Sequence, residues 1–134
     1  MSQQVPTVIL FETGVLNDYR KNIPIETTLA NLEKIMEQFQ EKSANAKIIL
    51  LSPNRTTEMG SNSLGLKPKD YLQRSKEFIH SKGWDFIDIY EGFEKLRLED
   101  GRALTQVLLK NGYNPNEIGN QYIFQTVKKY FMEE

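Results

Sequence analysis

Three short runs rich in β-branched or aromatic residues recur along the chain, separated by longer segments with apolar residues at helical spacing. No other feature constrains the fold as much. The first run, Thr7-Val8-Ile9-Leu10-Phe11, follows Pro6 and reads as a buried strand whose start the proline marks. The second, Lys47-Ile48-Ile49-Leu50-Leu51-Ser52, is stopped by Pro53, and the third spans Trp84 to Tyr90. Between the first two, Ile25, Leu29, Leu32, Ile35, Met36 and Phe39 form one apolar stripe after Pro24, a residue suited to the first turn of a helix. Between the second and third, Pro68 opens a helix that buries Tyr71, Leu72, Ser75, Phe78 and Ile79 and ends at Gly83. Strands alternating with helices imply βαβ units and a parallel sheet. The expected fold is therefore α/β and three-layered, with a short parallel sheet flanked by helices.

The remaining segments read less regularly. Glu12 to Asn22 is polar and is expected to be a loop. Asn54 to Lys67 is expected to be a long, mobile surface loop. A short helix is predicted over about Glu91 to Leu98, then an apolar patch at Leu104, Val107, Leu108 and Leu109. A closing helix from near Asn114 buries Ile118, Tyr122, Ile123, Val127 and Tyr130 or Phe131.

At 134 residues the chain is sized for one domain. Seventeen basic and 18 acidic residues leave a net charge of −1, and the signs are interspersed. No basic patch points to nucleic acid or to an anionic membrane, so neither is an expected partner. There are no cysteines and one histidine, His80. Disulfides, thiolate nucleophiles and cysteine-based zinc sites are excluded, and neither a metal nor a cofactor is expected. The N-terminus lacks a basic region followed by an apolar run, and no apolar stretch approaches the roughly 20 residues of a membrane helix. The expectation is a soluble protein, cytoplasmic or virion-associated.

The most informative segment for chemistry is Asn111-Gly112-Tyr113-Asn114-Pro115-Asn116-Glu117-Ile118-Gly119. Its Gly112, Pro115, Asn116 and Gly119 framework resembles the Asp-x-x-His-Pro-Asn block of SGNH (GDSL-type) hydrolases, with Asn111 and Asn114 at the Asp and His positions. The resemblance extends backwards. Gly14-Val15-Leu16-Asn17-Asp18 resembles the family's Gly-x-Asn-Asp block with one residue too many. The Asn31–Ile35 helix, the strand ending in Ser52-Pro53 and Gly83–Asp88 are similar to their counterparts. These pieces cover nearly all of the chain, and their order and spacing carry the resemblance. It implies a partial flavodoxin-like SGNH fold corresponding to the second half of that domain, so that residues 1–134 form a single truncated domain. It also implies that Asn17 occupies the place of the family's oxyanion donor.

The family's Gly-Asp-Ser block, which carries the nucleophile, and the block supplying the oxyanion glycine have no counterpart here. An amide has no titratable proton near neutral pH, so Asn111 and Asn114 cannot replace a base and its orienting carboxylate. What the resemblance then implies is a catalytically degenerate domain acting by binding or assembly. Such domains occur in phage tails and cell-surface proteins, with a glycan or small polar ligand, or a protein, as partner. Two alternatives stand beside it. One is part of an active SGNH esterase or deacetylase whose nucleophile and base come from another chain or a missing segment. The other is a regulatory protein with a repurposed fold.

The candidate binding residues are Asn17, Asp18, Tyr19, Arg20, Asn54, Arg55 and Tyr113, on loops expected at the C-terminal ends of strands, where open α/β sheets bind ligands. Each has a plainer reading. Asn17-Asp18 also suits an Asx-turn, and Asn111-Gly112 a simple turn. Asn114, Pro115 and Glu117 match a helix cap, and His80 and Ser52 read as structural. If the fold follows the family, the first strand has lost a neighbour. Its edge, Thr7–Phe11, is then expected to pair with a second copy, as a homodimer, or with a partner protein that covers it.

Overall fold

The computed structural model describes residues 7–99 and 104–132. Its elements run β1 (Val8–Glu12), α1 (Val15–Arg20), α2 (Ile25–Lys42), β2 (Lys47–Leu51), α3 (Pro68–Lys82), β3 (Asp85–Ile87), α4 (Ile89–Glu99), α5 (Leu104–Val107) and α6 (Glu117–Met132). The three strands form one parallel sheet in the order β1-β2-β3. Leu10 lies opposite Ile49, and Leu50 opposite Phe86. The expected α/β architecture, a short parallel sheet between helical layers, is what the chain adopts. No helix among the described residues is long and apolar enough to cross a membrane.

Side-chain alternation along the strands sorts the core into two layers. Ile48 and Leu50 of β2, with Phe11 and Phe86 from either side, pack against Leu32 and Met36 of α2 and Ile79 of α3. Ile49, Leu51 and Ile87 face the other way and meet Ile89 and Phe93 of α4, Val107 of α5, and Tyr122, Ile123 and Val127 of α6. A third cluster, Val15, Tyr19, Ile25 and Tyr71, binds α1 to α2 and α3.

Four boundaries differ from the sequence expectations, each for a local reason. Glu12–Asn22 is not all loop, because Gly14 in the left-handed region (φ 70) turns the chain into α1, which buries Val15, Leu16 and Tyr19. The third strand is Asp85–Ile87 alone, because the Asp88 carboxylate accepts the Glu91 N–H at 3.0 Å and starts α4. The last helix begins at Glu117, not near Asn114. Asn116 caps it, its Oδ1 accepting the Gly119 N–H at 2.9 Å, while Leu108 and Pro115 form an isolated antiparallel bridge. The segment after β2 is anchored rather than free, since Arg55 and Thr56 are buried and Asn62 donates to the Tyr19 carbonyl and the Tyr71 hydroxyl.

Candidate functional site

Three segments meet at the C-terminal ends of β1 and β2 and enclose a cleft of about 250 Å³. The first wall is the β1–α1 turn, where Glu12 Oε1 accepts the Gly14 N–H at 3.0 Å. Burial of Val15, Leu16 and Tyr19 fixes the orientation of α1, leaving Asn17 and Arg20 on its exposed side. The second wall follows β2. Ser52 is buried, donates to Asp88 Oδ1 at 2.9 Å and accepts the Tyr90 N–H at 3.0 Å, so it ties β2 to α4 rather than lining the cleft. Beyond Pro53, the Asn54 amide donates to the Tyr113 carbonyl at 2.9 Å and the Arg55 carbonyl at 3.1 Å.

The third wall is the turn before α6. Asn111 Oδ1 accepts the N–H groups of Tyr113 (2.9 Å) and Asn114 (3.1 Å), an Asx-type turn completed by Gly112 at φ 77. The Thr57 N–H donates to the Gly112 carbonyl at 3.0 Å. A Cβ at Gly112 would lie 2.5 Å from Thr57 Oγ1, so the close approach needs glycine as much as the backbone angle does.

Of the sequence-predicted residues, the cleft brings together Asn17, Arg20, Asn54, Tyr113 and Asn114. The others lie elsewhere. Asp18 accepts the Thr28 hydroxyl at 2.8 Å and faces α2. Tyr19 is in the core, its hydroxyl donating to the Gly60 carbonyl at 2.6 Å. Arg55 is buried, paired with Glu94 and set over the Tyr90 ring. Asn111 supports the turn from behind. His80 sits at the end of α3 beside Gly83, near the N-terminal end of β3 and thus at the opposite end of the sheet. Glu12 and Thr56 line the cleft and escaped the sequence reading. Glu12 had a usable signal, being a carboxylate at the C-terminal end of a strand. Thr56 lies in an aperiodic polar stretch that offers none.

Arg20 organises the charges. It forks Glu58, Nε to Oε2 at 2.8 Å and Nη2 to Oε1 at 2.6 Å, and its Nη1 donates to Asn17 Oδ1 at 3.0 Å. Its guanidinium lies 4.9 Å from the centre of the Tyr113 ring. The Glu58 hydrogen bond raises the Arg20 pKa above the ordinary arginine value, partly offset by burial. The lining residues carry one cation, Arg20, already neutralised by Glu58, and one anion, Glu12. Thr56 donates its hydroxyl proton to Glu58 at 3.0 Å. The cleft thus combines three amides, the Glu12 carboxylate and the Tyr113 ring, with no histidine and with the Thr56 hydroxyl engaged by Glu58. Among the described residues, no cluster of three His, Cys, Asp or Glu side chains could hold a metal ion.

No family model matches the sequence, and comparison with curated proteins gives no match. Solved structures do match. One is a crystal structure of a Lactobacillus plantarum protein from a structural-genomics consortium, at TM-score 0.71 and 15% identity, covering 95% of this chain and 67% of the other. A second crystal structure matches at TM-score 0.68 and 16% identity, covering 90% of this chain. The chain spans 61% of that second protein's length. At such identities the likeness establishes the fold alone.

Proposed function

We propose that the chain is a catalytically degenerate SGNH-hydrolase-like domain that works by binding, its cleft taking a small uncharged polar ligand such as one glycan unit. One observation carries this reading: Asn17, Asn54 and Asn114 converge at the C-terminal ends of the strands with no histidine among the residues that line the cleft with them. Amides donate and accept hydrogen bonds to hydroxyl and acetamido groups without titrating. The volume, about 250 Å³, lies just below the usual small-molecule range of roughly 300–1,000 Å³ and suits a single ring. With Arg20 neutralised by Glu58 and Glu12 alongside, the local balance is negative and disfavours anions. A cytoplasmic or virion-associated setting belongs to the same proposal, its virion part drawn from the family resemblance.

An NMR titration of the ¹⁵N-labelled chain tests this. Millimolar N-acetylglucosamine should shift Asn17, Tyr113 and Asn114, whereas glucuronate should not. Absence of shifts with N-acetylglucosamine, glucose and galactose alike would overturn the glycan reading.

Assembly is the second element of the proposal. Val8 and Leu10 of β1, whose outer edge pairs with no strand among the described residues, are 44% and 47% exposed. An unpaired apolar edge is an association surface, so it pairs with a second copy or with a partner protein. Sedimentation velocity at micromolar concentration should show a dimer that Leu10→Lys converts to a monomer. A monomer at all concentrations, with no change in Leu10→Lys, would leave self-pairing without support.

A further inference from the structure

We infer that Glu58 and Arg20 are positioning residues: together they lock the Asn17 amide with its oxygen turned to the guanidinium and its N–H groups free for a ligand. This rests on the ligand-binding role proposed for Asn17. A side-chain amide is nearly symmetric in shape, and a free one at the surface presents either end. Here Arg20 Nη1 donates to Asn17 Oδ1 at 3.0 Å, a charge-assisted bond that only the oxygen can accept. The opposite end, Nδ2, then points away from Arg20. It lies 3.9 Å from where a Cβ on Gly14 would stand, an ordinary van der Waals distance that places Nδ2 beside the β1–α1 turn.

Arg20 can do this because it is itself held. Three of its five N–H groups are committed in fixed directions, two of them to the Glu58 carboxylate in a planar fork. Glu58 in turn is only 14% exposed at its side chain and accepts the Thr56 hydroxyl at 3.0 Å. Thr56 is buried, and its neighbour Thr57 is bonded to the Gly112 carbonyl. The loop after β2 thereby sets the donor direction of a residue on α1, 41 positions away in sequence from Glu58. The ligand atom facing Asn17 must accordingly be an acceptor, a carbonyl or hydroxyl oxygen.

Side-chain ¹⁵N relaxation tests this without a ligand. The Asn17 NH₂ signal is assigned by its loss in Asn17→Ala. In the unsubstituted protein it should be as ordered as the backbone. In Glu58→Gln and in Arg20→Lys it should fall to the level of the solvent-exposed Asn120 amide, with backbone spectra otherwise retained. Affinity for N-acetylglucosamine should weaken about 3–10-fold in both. If Glu58→Gln loosens the loop, Arg20→Lys, which keeps the charge and removes the fork, carries the same readout. Unchanged Asn17 order in a folded variant overturns the positioning role. Loss of order in the variants, with no sugar bound by the unsubstituted chain, retains the positioning role and refutes the glycan reading.

Discussion

The two faces of the sheet are covered unequally. On the α2–α3 face all three strands are roofed: Phe11 of β1 meets Phe39 edge-on at 5.5 Å, Leu50 of β2 is 0% exposed, and Phe86 of β3 belongs to the same cluster. On the α4–α6 face the cover stops at β2. Ile49 is 0% exposed beneath α4, α5 and α6, while its neighbour across the β1–β2 ladder, Leu10, stays about half exposed. Parallel strands are ordinarily buried on both faces. The α2–α3 face is a finished core, and the other is finished only where α4 and α6 reach. The difference leaves the α4–α6 side of β1 as the exposed apolar part of the sheet among the described residues.

Core truncations probe this contrast with the largest effects. Leu50→Ala and Ile49→Ala should each cost about 2–5 kcal/mol in chemical denaturation, whereas Leu10→Ala should cost less than about 1 kcal/mol. Equal losses at Leu10 and Leu50 would mean that both faces are closed. Gly119→Ala sharpens the picture on the α4–α6 face. Its Cβ would stand 2.4 Å from the Val107 carbonyl oxygen and 2.9 Å from Pro115 Cβ, so α6 must shift away from α5. Thermal unfolding should show a loss of about 1–3 kcal/mol, although alanine is the better helix former. The smallest effect is expected at the start of the same helix. Asn116→Ala removes the cap on Gly119 and should cost about 1 kcal/mol, while Asn114→Ala should leave stability nearly unchanged. The reverse ranking would return the cap to Asn114.

The alternation of strand and helix was legible because proline and glycine punctuate it: Pro53 after β2, Pro68 at the start of α3, Gly83 at its end. Helix α1 was not, since six residues with Asn17 and Asp18 in the middle have no helical signal of their own. Its stability comes from burying Val15, Leu16 and Tyr19, a tertiary effect. The cap was misplaced by two residues because Asn114-Pro115 and Asn116-Glu117 carry the same local chemistry. The bridge between Leu108 and Pro115, a contact between separate segments, decides between them. In the cleft, Asn17, Arg20, Asn54, Tyr113 and Asn114 could be picked out by motif and loop position. Glu58 could not, because its role exists only through Arg20, 38 residues distant.

Hydrolysis of a short-chain aryl ester by the purified chain tests the central claim most directly. With amides at Asn17, Asn54 and Asn114, no histidine in the cleft and Ser52 buried against Asp88, the rate should match the buffer blank and be unaffected by Asn17→Ala. Saturable turnover abolished by Asn17→Ala would contradict the claim and make the cleft an active site.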